Sequence, residues 1–159
     1  MKSAALFFDI DGTLVSFNTH EIPASTIRAL TEAKANGSQV YIATGRPPMI
    51  ITNLGAIEHL IDGYITINGA LCFIGDEQVC YQPISKQDVM TCVDNAKTKG
   101  YGLIVVGRDK VAVLDPTGSV DRIFRQYLNV KEFDTPSPLE EILQQDVLQL
   151  TAFFDSTYE

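Results

Sequence analysis

Three short apolar runs, Ala4 to Phe8, Val40 to Ala43 and Gly63 to Ile67, fall within the first eighty residues, and each runs straight into a polar turn. Unbroken runs of that length suit strands buried on both faces of a parallel sheet. Between the first two, Pro23 stands where a helix tolerates proline, Ile27, Leu30 and Ala33 recur at helical spacing, and Gly37 supplies a stop. Pro47 and Pro48 open a second expected helix, carrying Met49, Ile50 and Leu54. The order strand, helix, strand, helix, strand leaves few topologies. It predicts an α/β fold with a parallel, Rossmann-like sheet and right-handed crossovers.

After Tyr81 the rhythm changes. Ser85-Lys86-Gln87-Asp88 resembles a capping box with Asp in place of Glu, and Val89, Cys92, Val93 and Ala96 form one helical face before Gly100. Leu103 to Val106 and Val111 to Leu114 flank Gly107-Arg108-Asp109-Lys110 as a hairpin. Ser119 is placed to cap a second helix with Val120, Ile123, Phe124, Tyr127 and Leu128 on one face, read as core. A short helical stretch and a last strand, Val147 to Phe154, complete a separate α+β unit. The expected division is 1–81 and 82–159, with a linker near Gln82-Pro83.

Composition narrows the function classes. With 159 residues, 45% of them hydrophobic, the chain is expected to bury a core, which excludes disordered and collagen-like classes. Twenty acidic residues against twelve basic ones give a net charge of −8, which argues against nucleic-acid binding. No apolar run approaches the roughly 18–20 residues of a membrane span, and the N-terminal stretch turns acidic too soon for a signal peptide. Cys72, Cys80 and Cys92 form no C-x-x-C pair and read as free thiols in a reducing cytoplasm. His20 and His59 lack metal-pair spacing and read as surface residues.

The chemistry sits at the strand ends. Asp9-Ile10-Asp11-Gly12-Thr13 follows the first run directly, at the carboxyl end where open α/β sheets bind ligands. Two carboxylates at i and i+2 of an extended chain share a side, and charges that close favour a shared proton or a divalent cation. Gly12 lets the backbone turn towards a ligand. A calcium loop of the EF-hand kind fails, since its sixth and twelfth positions would be Leu14 and His20. Thr44-Gly45-Arg46 stands in the equivalent place after the second run, offering a hydroxyl, a glycine N–H and an expected helix start for a phosphate. Arg46 suits either a phosphate or a neighbouring acid, and Asn68-Gly69, directly after a strand, is a good turn dipeptide.

Taken together, Phe7-Phe8-Asp9-Ile10-Asp11-Gly12-Thr13-Leu14, Ile42-Ala43-Thr44-Gly45-Arg46-Pro47 and Asn68-Gly69-Ala70 resemble the haloacid dehalogenase superfamily, in the spacing of its Cof-type (IIB) branch of sugar-phosphate phosphatases. The resemblance covers the whole chain. It implies a Rossmannoid core, here its first three parallel strands in 1–81, with an α/β cap inserted after the third strand, here 82–159. It implies Asp9 as the nucleophile that takes the phosphoryl group, and Asp11 as the acid that protonates the leaving alcohol and then activates water. It further implies Gly12, Thr44 and Gly45 on the phosphate, Arg46 and Asn68 at the substrate rim, and Mg²⁺ held by Asp9 and the Asp11 main-chain carbonyl. The substrate class implied is a small phosphate ester, a sugar phosphate in particular.

The departure from the family pattern lies in its third and fourth motifs, a lysine and an acidic G-D-x-x-x-D-like turn that lie beyond the cap. Gly75-Asp76 continues as Glu77-Gln78-Val79-Cys80-Tyr81, and no lysine follows Lys131. The chain therefore reads as the N-terminal part of a longer phosphatase, with its cap incomplete. In that reading Ala4 to Phe8 becomes an edge strand prone to association. The expectation is a non-native oligomer, or a C-terminal part supplied as another chain or absent. A phosphomutase and a catalytically incomplete phosphate-binding fragment or regulatory protein are the competing readings.

Overall fold

The computed structural model describes residues 4–122 and 136–154. It divides into two compact units, Met1–Tyr81 and Gln82–Glu159.

The first unit is a five-stranded sheet in the order β1-β2-β3-β4-β5. β1 (Ala5–Phe8), β2 (Gln39–Ala43) and β3 (Gly63–Thr66) run parallel. β4 (Leu71–Ile74) and β5 (Glu77–Tyr81) add on antiparallel, joined by a tight turn in which Gly75 takes φ +54°. Helix α1 (Ala24–Ala35) carries the β1–β2 crossover, with Pro23 at its N-cap and Leu30 buried. Val40 and Ile42 turn the same way as Phe8 into a core with Ile10, Leu14, Leu30, Leu54, Ile57 and Leu60. The alternate residues of β1 and β2 face out: Phe7 is 56% exposed and stacks on Tyr41 at 5.0 Å. β1 ends the sheet, with β2 as its partner among the described residues.

The second crossover departs from expectation. In place of a helix from Pro47, the chain makes single 3₁₀ turns at Pro48–Ile50 and Glu58–Leu60. The β-branched run Ile50-Ile51-Thr52 and the following Gly55 lower helix propensity too far. Ile50, Leu54, Ile57 and Leu60 are buried nonetheless, from the two 3₁₀ turns and the irregular backbone between them.

The second unit places β6 (Gly102–Val106) between β7 (Val111–Leu114) and β8 (Gln149–Phe153), all antiparallel. The Gly107–Lys110 turn closes the β6–β7 hairpin through the Gly107 N–H, which donates to the Lys110 carbonyl at 2.9 Å. Helix α2 (Lys86–Lys99) starts as expected: the Ser85 hydroxyl accepts the Asp88 N–H at 3.1 Å and donates to the Asp88 carboxylate at 2.7 Å. Its buried Val89, Val93 and Ala96 join Leu103 and Val105 in one core. Helix α3 (Ser119–Asp121) is capped by Gly118 and by the Asp115 carboxylate, which accepts the Val120 and Asp121 N–H groups, so Ser119 is its first residue and not its cap. Ile123, Phe124, Tyr127 and Leu128 lie outside the described residues. Helix α4 (Leu139–Ile142) precedes β8, which begins two residues later than expected because Val147 and Leu148 are buried coil.

Candidate active site

Three turns, each leaving the carboxyl end of a parallel strand, build the site. After β1 the chain turns through residues 10–15. The Ile10 carbonyl accepts from the N–H groups of Thr13, Leu14 and Val15 at 3.3, 3.1 and 2.9 Å, and the Gly12 N–H returns to the Val15 carbonyl at 2.9 Å. Buried Ile10, Leu14 and Val15 anchor this knot, while Asp9 is exposed and Asp11 half-buried. Because the chain turns after Asp9, the alternation argued for an extended Asp9-Ile10-Asp11 segment ends at the strand. Gly12 sits at φ +79°, and a Cβ there would lie 2.6 Å from the ring of Phe17. Both facts favour glycine.

After β2, Thr44 is buried to 6% exposure and its hydroxyl accepts the Arg46 N–H at 3.1 Å. Gly45 is exposed, and a Cβ on it would stand 3.1 Å from the Asn68 Oδ1. The expected helix N-terminus is absent here, because Pro48–Ile50 makes one turn only. Any phosphate at this place therefore meets the Thr44 hydroxyl and local N–H groups, without a helix dipole.

After β3, Ile67, Asn68 and Gly69 all take positive φ, at 53°, 52° and 96°. Left-handed backbone is tolerated by Asn more than by most residues, and is a genuine outlier for a β-branched residue. Ile67 could not have been singled out from the sequence, where it reads as the last residue of a strand. Such strain gathers at functional sites.

Side chains and backbone tie the three turns together. Arg46 grips Asp11 with two parallel bonds, Nε to Oδ2 and Nη2 to Oδ1, each 2.8 Å. Its Nη1 donates to the Ile50 carbonyl at 3.0 Å. The Ile67 N–H donates to the Arg46 carbonyl at 3.2 Å, the Asn68 N–H to the Thr44 carbonyl at 3.2 Å, and the Thr44 N–H to the Ile65 carbonyl at 2.9 Å. Of the two partners open to Arg46, the structure gives the acid. Asp9, Asp11, Gly12, Thr44, Gly45, Arg46 and Asn68 all fall on these turns. His20 and His59 are exposed and away from them in sequence.

Oxygen donors alone suit a hard cation such as Mg²⁺, which is held by one or two carboxylates while substrate and water oxygens complete its shell. The Asp9 carboxylate and the Asp11 main-chain carbonyl meet that description, and both Asp11 carboxylate oxygens already face Arg46. Among the described residues, no group of three His, Cys, Asp or Glu gathers as a complete metal site. No described helix is long and apolar enough to cross a membrane.

A Rossmann-like sheet with an acidic turn after its first strand, locked to a hydroxyl-glycine turn after its second, places the chain among α/β proteins that build their sites at parallel strand ends. Residues 6–159 match the family profile of haloacid dehalogenase-like hydrolases, and the chain belongs to that family. It is 44% identical to BT4131, a subclass IIB sugar phosphatase of the same superfamily, with a TM-score of 0.84 over 95% of this chain and 58% of that one. A structure from a study of trigonal-bipyramidal intermediates in a phosphoryl-transfer superfamily is 43% identical, with a TM-score of 0.86 over 96% of this chain and 59% of that one. YkrA of Bacillus subtilis (strain 168), named as a phosphatase, is 28% identical over 118 residues, 72% of this chain and 45% of its own length. The chain thus spans about half the length of this curated relative.

Proposed function

We propose that this chain belongs to a Mg²⁺-dependent phosphomonoester hydrolase of small phosphorylated metabolites, sugar phosphates in particular, in which residues 1–81 are part of the catalytic core and 82–159 part of the cap. The observation that carries the proposal is the Arg46–Asp11 clamp, which brings the acidic turn and the Thr44-Gly45 turn to one place. The similarity to a sugar phosphatase supports the substrate class.

Asp9 is the exposed carboxylate of the pair and the group free to attack phosphorus in line with the leaving alcohol. Asp11, whose two carboxylate oxygens accept from Arg46, leaves that clamp and takes up a proton; the P–O ester bond then breaks, Asp11 gives this proton to the departing oxygen, and the phosphoryl group rests on Asp9. Asp11 then takes a proton from the water that hydrolyses this aspartyl-phosphate, which restores both carboxyls. The Thr44 hydroxyl accepts the Arg46 N–H and so keeps its own proton to donate to a phosphate oxygen. The Gly12 and Gly45 turns let the backbone approach the phosphate, and Arg46 and Asn68 border the alcohol. The Asp9 carboxylate and the Asp11 main-chain carbonyl are the groups that would hold Mg²⁺, which when bound would supply charge neutralisation for the phosphate.

The test is hydrolysis of an aryl phosphate with and without Mg²⁺, beside Asp9→Asn, together with the mass of acid-quenched protein. The expected result is metal-dependent release of the alcohol and one phosphoryl group on Asp9, both lost in the variant. Turnover that survives Asp9→Asn overturns the assignment. One observation favours a second reading, a phosphate-binding unit completed by groups from elsewhere: no third acidic ligand joins Asp9 and Asp11 among the described residues. Phosphate binding without turnover or phosphoryl capture would select it.

A further inference from the structure

Cys72 on β4 and Cys80 on β5 are direct cross-strand partners. Their pairing depends on an irregularity. From the Gly75-Asp76 turn the register runs Ile74 to Glu77 and Phe73 to Gln78, then slips by one residue so that Cys72 meets Cys80 and not Val79. Opposed residues of antiparallel strands have Cα atoms about 4.5–5.5 Å apart, within the roughly 4.4–6.8 Å that a disulfide spans. Both thiols are free and half-buried. The Cys72 thiol also donates to the Gly69 carbonyl at 3.5 Å. Gly69 ends the left-handed run that carries Asn68.

We propose that Cys72 and Cys80 form a reversible redox pair whose oxidation to a disulfide releases the Gly69 carbonyl and loosens the Ile67-Asn68-Gly69 turn. The oxidant is a low-molecular-weight disulfide. The Cys80 thiolate attacks one of its sulfurs and expels one thiolate, leaving a mixed disulfide on Cys80. The Cys72 sulfur then attacks the Cys80 sulfur and expels the second. Two protein S–H bonds and one S–S bond of the oxidant are exchanged for one protein S–S bond and two small thiols, which carry away both protons. The order of attack follows from the setting. Burial and the neighbouring Cys80 thiol raise the Cys72 pKa above its ordinary value, which keeps Cys72 the protonated donor, while Cys80 lies on the strand that ends the sheet. Cys92 belongs to the other unit, on α2, and takes no part.

The pair's chemistry is independent of the phosphatase reading. The test needs no turnover. The protein is equilibrated with oxidised and reduced glutathione, mapped by peptide mass spectrometry, and followed by hydrogen exchange at the Ile67, Asn68 and Ala70 amides. The expected result is an intrachain Cys72–Cys80 disulfide reversed by dithiothreitol, with exchange at those amides accelerated several-fold on oxidation. Cys72→Ser, which keeps a donor for Gly69, should exchange like the reduced protein, and Cys72→Ala like the oxidised one. Cys80→Ala should keep slow exchange whatever the oxidant. Thiols that resist oxidation in the folded protein, or Cys92-linked dimers in place of the intrachain bond, overturn the pair. A disulfide that leaves exchange unchanged overturns the coupling to the turn.

Discussion

Replacing Arg46 by methionine keeps an unbranched stem and removes three hydrogen bonds, two to the Asp11 carboxylate and one to the Ile50 carbonyl. The side chains of Arg46 and Asp11 are 15% and 32% exposed, so the ion pair is neither dry nor freely solvated. A bidentate pair of this kind sits above the roughly 0.2–1 kcal/mol of exposed pairs, at about 1–2 kcal/mol, because its two bonds are charge-assisted. The Ile50 carbonyl belongs to a buried residue, and losing its donor adds about 1 kcal/mol. Arg46→Met should therefore destabilise the first unit by about 2–3 kcal/mol. A double-mutant cycle with Asp11→Asn isolates the pair, with an expected coupling of about 1–2 kcal/mol. Native-state hydrogen exchange at the amides of β2 reads this unit apart from residues 82–159. A coupling below about 0.3 kcal/mol would mean that water replaces the guanidinium at no cost, and the clamp would then not hold the two turns together.

Gly63→Ala should cost about 2–3 kcal/mol, since its Cβ would lie 2.7 Å from the Phe73 carbonyl oxygen and only a shift of β4 against β3 relieves it. Gly55→Ala meets nothing within 4 Å and carries no positive φ, so denaturant unfolding should show a gain of about 0.4–1 kcal/mol. Burial raises the Asp62 carboxyl pKa, but the Lys34 ammonium and the Val40 N–H outweigh it and hold the group below its ordinary value. With the folded pKa depressed, the stabilisation is present above about pH 4 and disappears as pH falls through the folded value. Asp62→Asn should flatten the acid limb of a stability profile measured by thermal unfolding at successive pH values.

The parallel part of the sheet was legible because its signal is local: apolar runs ending in Asp9, Thr44 and the Asn68 turn cannot be mistaken for amphipathic helices. The Ser85 cap and the Gly107–Lys110 hairpin were legible for the same reason, since both depend on residues three or four apart. The expected helix after Pro47 was not borne out. Proline marks a helix start but does not supply propensity, and Met49, Ile50 and Leu54 are spaced for a helix that Ile51, Thr52 and Gly55 do not support. The sequence places Asp9, Thr44, Arg46 and Asn68 at strand ends but does not give their geometry. Nothing local says that Arg46 meets Asp11, 35 positions away, and nothing marks Val79 as the residue skipped to bring Cys80 opposite Cys72.

Ile67 is where local preference and structure disagree most, and its burial and fastening explain why it holds. A β-branched residue in left-handed backbone costs about 1–3 kcal/mol. Its side chain is 2% exposed, and burying an isoleucine gains about 1.5–3 kcal/mol, enough to offset the strain. The turn is also fastened at both ends. Behind it, the fully buried Thr66 hydroxyl donates to the Leu71 carbonyl at 2.8 Å, and the Cys72 thiol reaches Gly69. In front, Arg46 and Thr44 carbonyls accept the Ile67 and Asn68 N–H groups. An unstrained continuation of β3 would carry Asn68 away from the second turn. The strained one brings its side chain within 3.1 Å of where a Cβ at position 45 would be, so glycine at 45 and left-handed backbone at 67 and 68 are one requirement seen from two strands.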